Sequence, residues 1–198
     1  MRTKHVAFLA LILLLPWLSA CTESGAMPVT MLGGGVPAAG EGACTSGTAF
    51  VTQSASDDLR NLGQYDIGNS FTPATTLYLY SIKVYLNNGS GLTANITIRV
   101  DDDTDMTADT LGDATVEIPV AFMGLAEVVI DEHPQLTGST TYYFGTYSDT
   151  GSVDIYFDGT SPSYAGGVYI YESGSGGWVL DSTVAERDVR MEILSCDD

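Results

Sequence analysis

Apolar and polar residues alternate in many short segments beyond residue 44, and no stretch after residue 21 keeps a helical period over three turns. Alternation with period two is typical of strands that bury one face. In the longest such segment Tyr78, Tyr80, Ile82, Val84 and Leu86 share one face. Because glycine-rich turns separate these segments at short intervals, the sequence predicts an all-β fold: an antiparallel two-sheet β-sandwich of the jelly-roll type.

The segment that follows predicts a partner strand for the first. A turn signal, Asn-Asn-Gly-Ser-Gly, occupies residues 87–91, and Ala94, Ile96, Ile98 and Val100 then share one apolar face. We therefore expect these two segments to form a β-hairpin. Further strands are expected at residues 115–120, 126–130, 141–147, 153–157, 168–171 and 188–194, with shorter ones near 48–52, 68–71 and 178–180.

The N-terminal residues predict a targeting signal. A basic start precedes an apolar run over residues 6–15, which is too short for a membrane span of about 20 apolar residues. The tetrapeptide at residues 18–21, Leu-Ser-Ala-Cys, resembles the lipobox of bacterial lipoproteins. This resemblance implies a signal peptide over residues 1–20 and a lipidated Cys21 as the mature N-terminus. The lipid would make the membrane a partner of the chain.

A spacer follows the lipidation site. Residues 21–43 are rich in glycine, alanine and proline and have no periodic apolar face, so they predict a flexible tether. Thr22 stands where lipoproteins retained at the inner membrane typically carry Asp, so the resemblance implies the outer membrane or cell surface of a bacterial envelope. The folded β-sandwich domain is expected over residues 44–198.

Two further cysteines, Cys44 and Cys196, bracket the expected domain. Thiols in an oxidising exported compartment usually pair, and the two ends of one domain commonly lie close together. We therefore expect a disulfide between them. A metal site is not expected here, because the mature chain has a single histidine, His133.

The charge of the chain excludes one class of partner. The formal net charge is −18, with 25 acidic residues against seven basic ones. Such a surface repels nucleic acid, so nucleic-acid binding is not expected. The acidic excess is compatible with solubility in salt or with sites for divalent cations.

Three motifs in the expected domain carry a family resemblance. Residues 69–73, Asn-Ser-Phe-Thr-Pro, look like the opening of exported bacterial domains of the choice-of-anchor kind, and residues 136–144 look like their Leu-Thr-x-Gly-Thr-Thr-Tyr-Tyr strand entry. Residues 164–167 followed by Gly177 and Trp178 look like their late hairpin. The resemblance implies a surface or secreted β-sandwich held to the envelope by an anchor, and it implies no catalytic residues.

The densest acidic segment is the loop that follows Val100. Asp101, Asp103 and Asp105 alternate like the first ligands of a calcium loop, in which a hard cation takes oxygen ligands. An EF-hand loop would carry Gly where Met106 stands and Glu where Gly112 stands. We therefore expect a solvated loop between two strands, with Ca²⁺ binding as the alternative and no other cofactor.

Aromatic and acidic side chains are concentrated in the last third of the chain. Aromatic platforms beside carboxylates suit sugar binding, although tyrosine is also common in ordinary strands. The candidate ligand platform comprises Tyr147, Asp154, Tyr156, Asp158, Tyr164 and Trp178.

Enzymatic motifs are absent from the sequence. It contains no G-x-S-x-G elbow and no histidine pair for zinc, so we expect a protein that is not an enzyme. The leading expectation is a surface binding or adhesion module with carbohydrate as the favoured ligand. The alternative is a structural or protein-interaction domain of the cell envelope that binds no small ligand.

Overall fold

Two antiparallel β-sheets form the fold in the computed structural model, which describes residues 44–104, 106, 110–150, 152–159, 164, 167–172, 178–180 and 187–197. The strands in these residues are β1 (Gly47–Gln53), β2 (Asp58–Asn61), β3 (Ile67–Phe71), β4 (Leu77–Asn88), β5 (Ala94–Asp101), β6 (Gly112–Ile118), β7 (Met123–Val129), β8 (Gln135–Leu136), β9 (Tyr142–Ser148), β10 (Val153–Asp158), β11 (Tyr169–Glu172), β12 (Trp178–Leu180), β13 (Asp188–Val189) and β14 (Met191–Cys196). Within the described ranges no helix has the length and apolarity needed to cross a membrane.

Eight strands are connected in jelly-roll order. In one sheet β1, β14, β4 and β7 lie side by side, and in the other β3, β9, β5 and β6 do. Consecutive strands such as β3, β4 and β5 therefore alternate between the sheets, which is the jelly-roll arrangement. The predicted all-β antiparallel two-sheet β-sandwich is confirmed.

The remaining strands extend both sheets. In the eight-stranded sheet β10 pairs with β4 and also with β2 and β13, while β8 adds a short pairing to β4. In the six-stranded sheet β11 pairs with β3, and β12 forms the edge. β10 to β13 come from the chain between β9 and β14, whereas β2 and β8 precede β9. β11 and β12 supply Glu172 and Trp178 to the candidate site described below.

The core lies between the two sheets and follows the predicted alternation in β5. Ile96, Ile98 and Val100 are fully buried, whereas Thr97 and Arg99 lie on the outward face. Burial of each such aliphatic side chain contributes about 1.5 to 3 kcal/mol relative to exposure. The alternation that predicted this strand therefore also stabilises it.

The predicted hairpin of β4 and β5 is wrong. The two strands lie in different sheets, so residues 89–93 cross from one sheet to the other instead of closing a hairpin. Asn88 explains this corner, since its buried amide nitrogen donates to the carbonyl oxygens of Leu92 at 2.9 Å, Ile118 at 3.2 Å and Pro119 at 3.1 Å. Asn88 thus links the β4–β5 connection to the start of the β6–β7 connection and fixes the crossing between the sheets. A turn motif alone does not reveal such a link.

The predicted face of β4 is correct only in its second half. Ile82, Val84 and Leu86 point inward, but Leu79 is also fully buried and Tyr80 is not. The pairing with β14 shifts by one residue there, with Leu194 opposite Ser81 and Ser195 opposite Leu79. This β-bulge reverses the alternation, as an extra residue in one strand must.

The ends of the domain meet as predicted. Gly47 of β1 pairs with Cys196 of β14, which brings Cys44 to a Cα–Cα distance of 5.5 Å from Cys196. Their sulfur atoms are bonded at 2.09 Å. The expected disulfide is confirmed in the structure and joins the two ends of the β-sandwich.

The predicted strand over residues 188–194 is two strands. Its interruption is Arg190, whose N–H donates to the Tyr156 carbonyl oxygen at 2.9 Å while its own carbonyl accepts from Tyr85 N–H at 3.0 Å. The chain therefore passes at this residue from pairing with β10 to pairing with β4.

Candidate functional site

A row of polar and aromatic side chains crosses the outward face of the six-stranded sheet. Trp178 is directly opposite Glu172, and the N–H of Glu172 donates to the Asp66 carbonyl oxygen at 2.9 Å. Asp66 precedes Ile67, which pairs with Thr146, so Asp66 in turn lies beside Tyr147. Residues in one such row share a face, because side chains alternate along every strand.

The sheet curls toward this face at its β12 edge. A Cβ atom added to Gly145 of β9 would lie 2.6 Å from the indole carbons of Trp178, so the indole covers this glycine. Three strand spacings separate β12 from β9, about 14 Å in a flat sheet, which exceeds the reach of an indole. Ile170 points outward beside Gly68 yet is fully buried, as a curled edge requires. The face is therefore concave here, and we call it the curled face.

Two glycines leave room for the indole on the curled face. Gly68 pairs directly with Gly145, so neither strand presents a side chain at this point. A Cβ at Gly68 would overlap the carbonyl oxygen of Phe144, so only glycine fits the close approach of β3 and β9. The indole of Trp178 fills the space that a side chain at residue 145 would take.

A carboxyl pair lies between the two aromatic residues of the row. The side chains of Asp66 and Glu172 hydrogen-bond to each other, which requires one of the two carboxyl groups to hold a proton. Burial raises the pKa of Asp66 to about 7, and the hydrogen bond and the negative charge of Glu172 act in the same direction. Because this proton is used within the pair, the pair offers acceptor oxygens to a ligand near neutral pH.

Tyr147 joins the carboxyl pair to a cation. Its ring meets Trp178 edge to face at a centroid distance of 5.6 Å, and the Arg99 guanidinium lies 5.3 Å from the tyrosine ring centroid. Burial raises the pKa of Tyr147, while the charge of Arg99 and a hydrogen bond from Trp178 lower it. The negative charges of Asp66 and Glu172 raise it further. These five residues consequently act on one another electrostatically.

The structure divides the platform predicted from the sequence. It brings Tyr147 and Trp178 together but places Asp154 and Tyr156 on the outward face of the other sheet. There Asp154 accepts a hydrogen bond from the Asn61 amide at 3.2 Å, and Tyr156 meets Tyr85 edge to face at 5.1 Å.

The last two predicted platform residues, Asp158 and Tyr164, contact the framework of the fold. Asp158 is only 3% exposed and lies opposite Asp188 in the pairing of β10 with β13. Tyr164 packs against the core, and its hydroxyl accepts the backbone N–H of Thr72 at 3.2 Å. Neither side chain belongs to the curled face.

In the aspartate loop that follows Val100, one carboxylate accepts hydrogen bonds from the backbone of the loop itself. Asp101 is buried, and its Oδ1 accepts the backbone N–H groups of Asp102 at 2.7 Å and Asp103 at 3.4 Å. Burial raises the pKa of Asp101, and these two hydrogen bonds oppose that effect. Asp105 lies outside the described residues. Calcium binding by this loop stays a prediction.

The described residues gather one group of three metal-ligating side chains, Cys44, His133 and Cys196, with donor atoms within 4.8 Å of one another. The disulfide uses both sulfur atoms, and the His133 ring stacks on Tyr80 at 5.8 Å. This group therefore consists of the disulfide that joins the two ends of the domain and a neighbouring histidine. Cys21 lies outside the described residues, so its predicted lipidation stays a prediction.

Sequence reasoning missed Asp66, Glu172, Arg99 and Gly145 as members of the candidate site. Alternation alone places Asp66 and Glu172 opposite the core-facing residues of their strands, but it does not say that the two strands are neighbours. That information is in the pairing of β11 with β3 and of β3 with β9.

Neither the models of known protein families nor the curated proteins include a match to this chain.

Proposed function

We propose that this chain is a lipid-anchored β-sandwich of the bacterial cell envelope that binds carbohydrate on the curled face. The observation that carries the proposal is the row of Trp178, Glu172, Asp66 and Tyr147 on a concave sheet surface. Sugar rings present apolar C–H faces that stack on aromatic rings and hydroxyl groups that hydrogen-bond to carboxylates. The curled face offers both kinds of contact within one row of side chains.

The anchor and the location rest on the sequence. The resemblance of residues 18–21 to a lipobox and the spacer over residues 21–43 support a domain held away from the outer membrane by a lipid on Cys21. The resemblance to choice-of-anchor domains supports the same arrangement. A multiply acylated cysteine would hold the chain in place far more firmly than one acyl chain, since each buried methylene contributes about 0.8 kcal/mol.

The carboxyl pair supports binding rather than hydrolysis. Glycoside hydrolases place their two carboxyl groups about 5 to 9.5 Å apart, so that a substrate or a water fits between them. Asp66 and Glu172 instead hydrogen-bond directly to each other, so the two carboxyl groups are not separated in this way. This arrangement leaves no room for that chemistry and suits recognition of hydroxyl groups.

A screen of soluble oligosaccharides tests the proposal. The chain should bind one neutral glycan class, and Trp178→Ala should weaken that binding by about tenfold or more, because the variant loses an aromatic platform. Tyr156→Ala is the matched control, since Tyr156 is an aromatic residue on the outward face of the other sheet. Equal binding by the wild type and Trp178→Ala would contradict the assignment of the curled face.

One observation favours the alternative, a protein-interaction domain. Three apolar residues in or just before the edge strand β7 are exposed: Val120 is 48% exposed, Met123 61% and Leu125 38%. Exposed apolar patches at a strand edge mark surfaces that other proteins cover. A loss of self-association or partner binding in Met123→Ser, with glycan binding absent in the wild type, would favour this second function.

A further inference from the structure

A cavity of about 190 Å³ opens at the end of the sandwich that carries β2 and β11. It lies apart from the outward row of the curled face, because the side chains that form it include inward-facing residues of β2 and β11. Among the described residues, those that line it are two arginines and three tyrosines: Arg60, Tyr65, Tyr169, Tyr171 and Arg187. We call it the edge cavity.

Arg60 faces the inside of the sandwich. It pairs with Ile155, whose side chain is fully buried in the core, and paired residues of two strands share a face. A guanidinium directed between two sheets is costly unless other groups satisfy it. Within the described part of the chain no carboxylate lies within salt-bridge distance of Arg60, and its guanidinium lies 5.8 Å from the Tyr65 ring centroid.

The charge of the edge cavity contrasts with that of the chain. The sequence beyond the signal peptide contains five basic residues and a large acidic excess, yet two of these five, Arg60 and Arg187, line one cavity. The Arg187 guanidinium lies 5.7 Å from the Phe157 ring centroid and 6.0 Å from that of Tyr169. Aromatic rings that hold both cations make a site for a negatively charged group.

Protection of a sheet edge is the alternative explanation for Arg60. Natural β-sheet proteins place inward-pointing charges on edge strands to prevent edge-to-edge pairing, and β2 is such a strand. That role needs one charge and no cavity. Three tyrosine rings around a solvent-accessible space beside a second arginine exceed what edge protection requires.

We propose that the edge cavity binds a single carboxylated sugar residue, such as a hexuronate unit of an acidic glycan. The guanidinium fork of arginine matches a carboxylate in a bidentate geometry, and tyrosine rings pack against the apolar face of a sugar ring. Sites for drug-sized ligands measure about 300 to 1,000 Å³, so a cavity of 190 Å³ suits one ring. The sugar class rests on the proposed function, whereas the site itself does not.

Calorimetric titration of the full chain in detergent with D-glucuronate, D-glucose and sodium sulfate tests this proposal. We expect D-glucuronate to bind, D-glucose to bind at least about tenfold more weakly, and added sodium chloride to weaken the D-glucuronate affinity. Sulfate that binds as tightly as D-glucuronate would overturn the assignment to a sugar. Equal affinities for D-glucose and D-glucuronate would overturn the assignment to an anion.

Variants locate the binding site. Arg60→Gln should weaken D-glucuronate binding by about tenfold or more, and Arg60→Lys should retain part of it, because lysine keeps the charge without the fork. Arg190→Gln is the matched control, since Arg190 stacks on Tyr85 at 4.0 Å away from the cavity. Melting curves without ligand establish that each variant is folded. Unchanged affinity in folded Arg60→Gln would refute the proposal.

The same titrations separate this inference from the proposed function. Trp178→Ala should bind D-glucuronate as the wild type does, because Trp178 does not line the edge cavity. Suppose that no neutral glycan binds the curled face while Arg60→Gln still abolishes D-glucuronate binding. The proposed function of the curled face is then refuted, and the assignment of the edge cavity is supported. Loss of D-glucuronate binding in Trp178→Ala would instead assign the ligand to the curled face and overturn this inference.

Discussion

Replacing Asp66 with Asn should stabilise the protein above neutral pH and leave its stability unchanged near pH 4. The pKa of this carboxyl rises from 3.8 to about 7 on folding, so between these values the folded state holds a proton that the unfolded state has released. Stability then falls as the pH rises through this window and stays low above it. An asparagine has no proton to lose, and its amide can still donate to Glu172.

The structure sets the size of the effect. A shift of about three pKa units corresponds to about 4 kcal/mol at 1.36 kcal/mol per unit. Asp66 is only partly buried, so solvent screening reduces this to about 1 to 2 kcal/mol. Asp66→Asn should therefore gain about 1 to 2 kcal/mol at pH 8 relative to pH 4, which is about 2 to 8 °C in Tm for a domain of this size.

Chemical denaturation of the wild type and Asp66→Asn at several pH values measures this difference. The variant is compared with the wild type at each pH, because the acidic surface makes both proteins less stable at high pH. Asp154→Asn is the control, since Asp154 is a carboxylate on the outward face of the other sheet. A gain for Asp66→Asn that is the same at pH 4 and pH 8 would refute the account of the carboxyl pair.

Three further predictions concern the covalent and steric framework. Replacing Cys44 and Cys196 with Ser should lower the unfolding free energy by about 4 to 5 kcal/mol in the loop-entropy model, measured by denaturation of the oxidised and the variant proteins; two freely alkylated thiols in the folded wild type would contradict it. Cys21→Ser should abolish labelling of the chain by a fatty-acid analogue, and equal labelling of both would refute the anchor. Gly145→Ala should displace the Trp178 indole, shift its fluorescence and weaken glycan binding at little cost in Tm, because the conflict involves the far end of a side chain. An unchanged emission spectrum would show that the indole does not lie over β9.

Local patterns in the sequence were sufficient for the fold class. Ile96, Ile98 and Val100 share a face because side chains alternate along any strand, and this holds whichever strands become neighbours. The cysteine pair was also predictable, since the two residues bracket the strands and the ends of a domain lie together. The prediction that Tyr80 faces the core was wrong because a β-bulge reverses the alternation there, and a bulge leaves no clear mark in a run of tyrosines and leucines.

Tertiary structure alone decided which strands became neighbours, and with them the candidate sites. The turn at residues 87–91 looks like a hairpin turn, but the Asn88 side chain joins two connections and sends β5 to the other sheet. Asp66 and Glu172 are more than 100 residues apart, and only the pairing of β11 with β3 makes them a proton-sharing pair. Pairing between strands far apart in sequence depends on packing of the whole core, so it leaves no local pattern from which the curled face could be predicted.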